Sequence, residues 1–348
     1  MRIAFFGSSL VSSYWNGAAT YYRGIVRALH ARGHHVTFYE PDAYERQRFR
    51  DIEDPPWASV VVYEPDEWRA MLDRARDTDV IVKASGVGVC DAELEEGVLD
   101  AGAPVTIFWD VDAAATLATL DDRFAALIPE YDVVLTYGGG RPVCERYRAA
   151  GARECVPVYN ALDPQTHHPV QPSKRYAADL ALVANRLPDR EARVDEFFLA
   201  AARRLPDHDF LLGGAGWEDK QLPRNTRLVG HVATADHNAV NASALAVLNV
   251  TRADMAANGW SPPTRVFEAA GAGACLITDS WAGIEEFLEP EQEVLVADGG
   301  ADVARLLLDL TPERAQTIGA AARERLLEQH TYDRRAELVE RVLERVHA

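Results

Sequence analysis

The sequence predicts an α/β chain of two doubly wound domains, each a parallel sheet covered by helices, and three observations carry that expectation. Short apolar runs alternate with amphipathic helical patterns from end to end. The runs are rich in β-branched and aromatic residues without polar alternation, as strands buried on both faces of a parallel sheet require. At 348 residues the chain is too long for one ordinary core, and a proline-punctuated stretch divides it near the middle.

The first series of strand-like runs is "IAFFG", "HVTFY", "VVV", "DVIVKAS", "PVTIFWD", "DVVLTYG" and "CVPVYN". Between the first two lies "AATYYRGIVRALHARGHH", where Tyr22, Ile25, Val26 and Leu29 share a helical face and Gly33 is placed to end the helix. After Asn160, "ALDPQTHHPVQPSKRY" has no periodicity and reads as a linker, in which His167 and His168 look structural. A second series follows: "DLALVAN", "DFLLGG", "ALAVLNV", "ACLITD" and "EVLVAD". The expected domains are therefore residues 1–165 and 166–330, each Rossmann-like, with a ligand cleft between the carboxyl ends of their facing sheets. Residues 331–348 form an amphipathic helix with Leu338, Val339, Val342, Leu343 and Val346 on one side, able to pack back across either domain.

Composition narrows the function. The formal charge of −18, from 36 basic and 54 acidic residues, is shared by both halves, which excludes a nucleic-acid binder and argues against an anionic membrane partner. Cys90, Cys144, Cys155 and Cys275 lack metal-ligand spacing, so they read as buried thiols in a reducing compartment, with no zinc site and no disulfide frame. The opening "MRIAFFGSSL" enters a strand at once and lacks the apolar length of a signal peptide, so a cytoplasmic location is expected. Oligomeric state is not readable from the chain.

Two stretches suggest chemistry. Ser261, Pro262 and Pro263 look like the cap and first turn of a helix carrying Thr264, Arg265 and Glu268. Proline lacks an N–H, so the amides of Thr264 and Arg265 and the Arg265 guanidinium remain to meet an anion. Glu268 lies one turn on, at ~5 to 6 Å between Cβ atoms, and a carboxylate can accept from both hydroxyls of a ribose. The same spacing also fits an ordinary amphipathic helix with exposed Arg and Glu. In "VTIFWDVDAAATL", Asp110 and Asp112 fall at the carboxyl edge of a strand, where an aspartate can serve as a general base or cap the following helix.

"TRVFEAAGAGACLITDSWAGIEEFLEPEQEVLV", together with "WDVDAAATL" and "LVANRLPDR", resembles glycosyltransferases of the GT-B fold, group 1 (GT4-like) type, and their CgeB-like branch in particular. The resemblance implies that residues 166–330 bind the donor and 1–165 the acceptor. It further implies a nucleotide-diphosphate sugar (UDP-, TDP- or GDP-linked) as co-substrate, no other cofactor and no metal. It places Glu268 on the ribose, with Thr264, Arg265 and Ser261 beside it. Arg186 and Arg190 would meet the diphosphate, Gly214 the base and Asn258 the sugar. Gly17, with Ser13, Tyr14 and Trp15, would belong to an acceptor loop, with Asp112 as base and Asp110 beside it. Trp260 stands where many group 1 members carry a second glutamate. The acceptor, whether natural product, glycan or protein, stays open, as do two other readings: a silent nucleotide-sugar-binding or assembly protein, and a sugar-nucleotide epimerase.

Overall fold

The computed structural model describes residues 1–14 and 16–347, the side chains of Asp189 and Asp254 excepted. The chain divides into two compact units: Met1–Asn160 with Tyr332–Ala348, and Ala161–Thr331.

The first unit is built on seven parallel strands, β1 (Arg2–Phe6), β2 (His35–Pro41), β3 (Ser59–Tyr63), β4 (Val80–Ala84), β5 (Val105–Asp110), β6 (Val133–Thr136) and β7 (Cys155–Pro157), in the order 3-2-1-4-5-6-7. The chain order reverses between β1 and β4, which puts the loops following those strands at the switch point where doubly wound sheets open a crevice. Every residue of β4 and β5 is buried, as their continuous apolar text requires. Lys83 is one exception in kind: its ammonium is fully enclosed and donates to the Ala84 carbonyl at 2.7 Å and to Asp91 at 2.7 Å. The helix Ala19–Ala31 buries Tyr22, Ile25, Val26 and Leu29 as expected, and Gly33 at φ +90 ends it. The final helix, Tyr332–His347, belongs to this unit. Tyr332 lies against Gly24, where a Cβ would come within 2.3 Å of the tyrosine ring.

The second unit holds six parallel strands, β8 (Ala178–Val183), β9 (Phe210–Gly213), β10 (Thr226–Gly230), β11 (Ala244–Asn249), β12 (Leu276–Asp279) and β13 (Leu295–Ala297), in the order 10-9-8-11-12-13. Two features depart from the sequence reading. The edge strand β10 was not among the expected runs, because "TRLVG" is short, half-buried and flanked by polar residues. The proline-punctuated stretch is no free linker. Its Leu162 is fully buried and bridges to Thr331, and its turn is tied by Asp163 to Gln165 and Thr166.

All four cysteines are free. The sequence showed Cys144 and Cys155 merely as two scattered thiols, yet the fold brings their sulfurs to 3.1 Å in the buried layer under β6 and β7. Among the described residues no helix is long and apolar enough to cross a membrane.

Candidate functional site

In the second unit, the loops after β8 and β11 and the helix Thr264–Gly271 surround a cavity of about 110 Å³. Three arginines line it: Arg190, Arg252 and Arg265, with Thr264 and the apolar floor of Val183 and Val250. None of the described lining residues is acidic. Three arginines beside the N-terminus of the helix Thr264–Gly271 can hold a doubly charged anion, since both the forked donors and the helix dipole favour it. Part of the Arg265 donor set, Nη1, has no hydrogen-bond partner.

Arg190 and Arg265 were both singled out from the sequence, whereas Arg252, which precedes the short helix Ala253–Asn258, was not. Its position is set from below. Asp279, fully buried at the end of β12, accepts from the Thr251 amide at 2.9 Å and the Thr251 hydroxyl at 2.8 Å, while its other oxygen takes Arg193 at 2.6 Å. One carboxylate thus pins the carboxyl end of β11, and with it the residue before Arg252, to its neighbours. Arg186, expected beside Arg190, is instead engaged twice over: it pairs with both oxygens of Glu191 at 2.8 Å and with Asp219 at 2.6 Å. Its charge is already matched.

Ser261 does not cap the helix. The helix starts at Thr264 with Pro263 at the cap position and no side-chain cap bond, because Pro262 and Pro263 hold the entering chain extended and carry Ser261 away from the first turn. Gly214 sits at φ +123 where a Cβ would lie 2.1 Å from the Ala184 carbonyl oxygen, so the loops after β8 and β9 nest with no room for a side chain. Asn258 ends its helix exposed. Just beyond, Trp260 takes φ +44, its amide donates to Ala282 at 2.6 Å and its indole N–H to Glu286 at 2.6 Å.

Glu268 is half-buried one turn below Arg265. Its carboxylate faces three nitrogens without bonding to any: His167 Nε2 at 4.0 Å, His237 Nδ1 at 3.8 Å and Arg265 Nη2 at 3.8 Å. Burial lowers both imidazoles below the ordinary histidine range, with Glu268 opposing. His167, read from sequence as structural, and His237, not singled out at all, are thereby neighbours of the predicted ribose residue.

In the first unit, Asp110 and Asp112 separate in kind. Asp110 is fully buried, and its carboxylate accepts from Ser85 at 2.8 Å, from the Asp112 amide at 3.0 Å, from Thr116 at 3.0 Å and from the Tyr147 hydroxyl. Burial raises its pKa and these donors oppose the rise. Asp112 is exposed, makes no side-chain cap bond to the helix Ala113–Ala118 that it precedes, and lines a second cavity of about 300 Å³ with Ser85, Thr116 and Arg123. Gly17 opens onto free space, with nothing within 4 Å of a notional Cβ. Nearby, Ser13 donates to Asp51 at 2.9 Å and Tyr14 stacks on Phe49 at 4.2 Å between centroids. Trp15 lies outside the described residues. Among the described residues no group of three or more His, Cys, Asp or Glu side chains is arranged to hold a metal.

Residues 190–341 match the family profile described as glycosyl transferase-like. Solved structures agree along the whole chain. Sucrose-phosphate synthase from Thermosynechococcus elongatus superposes with a TM-score of 0.69 at 15% identity, covering 99% of both chains. HepE of Anabaena, in complex with UDP and glucose, gives 0.70 at 13% identity, again covering 99% of both. The T4 phage BGT, in complex with its UDP-glucose substrate, gives 0.62 at 13% identity with the same coverage. The chain has the GT-B fold, and its residues 190–341 are similar to the glycosyl transferase-like family. No curated protein sequence matches it.

Proposed function

We propose that this GT-B chain is a glycosyltransferase of the CgeB-like branch that moves a sugar, of hexose type, from a UDP-sugar to an acceptor nucleophile. The observation that carries the reading is the cavity of three arginines beside the helix whose next turn presents Glu268. A nucleoside diphosphate matches that order of groups: diphosphate on Arg190, Arg252 and Arg265, ribose on Glu268. The relatives' UDP complexes support uracil ahead of thymine or guanine.

In the reaction the bond between the anomeric carbon and the diphosphate oxygen breaks, and an acceptor oxygen forms the new bond. Charge grows on the leaving diphosphate, where preorganised guanidiniums stabilise it. Asp112, exposed and uncommitted, would take the acceptor proton; Asp110 would hold the turn that carries it. Because the arginines supply the positive charge, turnover is expected to continue unchanged in the presence of a chelator.

The first test is thermal. UDP at ~100 times its dissociation constant adds about 2.7 kcal/mol to the native state and moves the midpoint by a few degrees. TDP, GDP and ADP should shift it less, and Glu268→Ala should lose the UDP shift. A protein indifferent to all four nucleotides sinks the reading. Binding without transfer is a second reading, favoured by Trp260, whose indole rather than a carboxylate occupies that position and engages Glu286. Absence of any sugar release from UDP-glucose, despite a thermal shift, would select it.

A further inference from the structure

Each oxygen of Glu268 has its own imidazole: Oε1 faces His167 and Oε2 faces His237. The two rings lie nearly parallel, 25° apart, with centroids 6.5 Å from each other. They come from different elements, His167 from the turn after Asp163 and His237 from the helix Thr234–Ser243, and the mounts are tied together. Asn238 donates to the Thr166 carbonyl at 2.8 Å, and the His167 amide to the Asp163 carbonyl at 2.9 Å. The gaps of 3.8 and 4.0 Å are too long for hydrogen bonds yet too short for an intervening group larger than one oxygen. A hydroxyl at ~2.8 Å from both sides bridges such a gap at roughly a right angle.

We propose that His167 and His237 are specificity residues for the ribose diol, each completing, with one oxygen of Glu268, the binding of one hydroxyl. The proposal rests on the reading of Glu268 as the ribose residue. Each hydroxyl donates to its carboxylate oxygen and exchanges a second hydrogen bond with its imidazole. A neutral imidazole suits the task because it offers a donor and an acceptor, whereas a protonated one offers donors alone and would ion-pair with Glu268. Burial lowers both rings below the ordinary histidine range, which favours that neutral form. The charged or titratable groups facing them are Glu268 and Arg265 on their shared helix neighbour, His168 beside His167, and each other.

The test is calorimetric titration of the full chain with UDP, 2′-deoxy-UDP and 3′-deoxy-UDP, on the wild type, His167→Asn, His237→Asn and Glu268→Gln. The wild type should prefer UDP over either analogue by at least about tenfold, since a site built to bond a hydroxyl rejects a ligand lacking it. One histidine variant should lose the preference against the 2′-deoxy analogue and the other against the 3′-deoxy analogue, each keeping its affinity for that analogue. A merely structural histidine would weaken all three ligands together, and that result overturns the proposal. So does a preference that survives in both histidine variants but disappears in Glu268→Gln, which leaves the ribose role of Glu268 standing. A wild type that binds all three ligands equally, or none, removes both. Should a variant fail to fold, the unmodified protein gives the answer: the preference for UDP should hold through the ordinary histidine range, because burial lowers both imidazoles below it, and should collapse only at lower pH as they protonate. A preference unchanged down to the onset of acid unfolding overturns the proposal.

Discussion

Two aspartates two residues apart divide their labour by burial. Asp110 has spent its acceptor capacity on four donors, and an amide in its place turns one of its two acceptor oxygens into a donor, leaving at least one of them unmet in an enclosed layer. Asp110→Asn should cost about 1 to 3 kcal/mol, read as a lower urea midpoint. Asp112→Asn should leave the midpoint and the UDP thermal shift in place while lowering turnover by about 10²- to 10⁴-fold, the usual yield of a general base. Turnover unaffected by Asp112→Asn would assign the base elsewhere. The arginines allow a matching contrast. Arg252→Ala should weaken UDP by about 10- to 100-fold, the worth of one or two charge-assisted bonds, without changing uridine binding. Arg186→Ala should leave UDP affinity within about twofold, because its guanidinium already faces Glu191 and Asp219. Helical spacing put Arg265 and Glu268 on one face, and only the family resemblance gave them an expected role. Sequence hid Arg252 and His237, which stand on other elements and meet the site only through strand order, and it favoured Arg186, whose partners Glu191 and Asp219 are matched to it only in three dimensions.

At the scale of elements, the expected strands follow from apolar text that needs burial on both faces, and β10 escaped because an edge strand needs less of it. The close packing around the helix Thr264–Gly271 was legible in "GAGAC", but its partners were not. Gly271 meets Leu162, where a Cβ would lie 2.3 Å from Cδ1 and 3.3 Å from the His167 carbonyl oxygen. The stretch that read as a linker is thus the element that the helix Thr264–Gly271 packs against. Gly319, on the helix Pro312–Gln329, crosses Gly273 so closely that a Cβ would stand 2.1 Å from its carbonyl oxygen. Backbone cannot yield as a side chain can, so Gly319→Ala should destabilise the second unit by at least about 1 to 3 kcal/mol. Gly17→Ala, facing open space, should cost little stability. Equal thermal midpoints for the two variants would contradict this packing account.

For the whole molecule, the notable feature is that the first unit is discontinuous: its sheet is made from Met1–Asn160, and its last helix arrives only after the second unit is complete. That helix is no ornament. Tyr332, Ala336, Val339, Val342 and Leu343 are buried, Tyr332 bonds Asn160, and the enclosed Arg335 donates to the Tyr159 carbonyl at 3.2 Å. Burial lowers the Arg335 pKa to about 10, so keeping it charged there draws on the surrounding packing. Four large apolar side chains at about 1.5 to 3 kcal/mol each represent a contribution comparable to the whole stability of a domain, about 5 to 15 kcal/mol. A chain ending at Thr331 should therefore lose the cooperative unfolding transition of the first unit while keeping that of the second. UDP identifies which is which, because a ligand held by Arg190, Arg252, Arg265 and Glu268 raises the midpoint of the unit that contains them. Scanning calorimetry of the full and shortened chains, each with and without UDP, makes the comparison. A shortened chain that keeps two transitions would show that Met1–Asn160 closes its own core, and the final helix would then be an addition to the fold instead of its last strut.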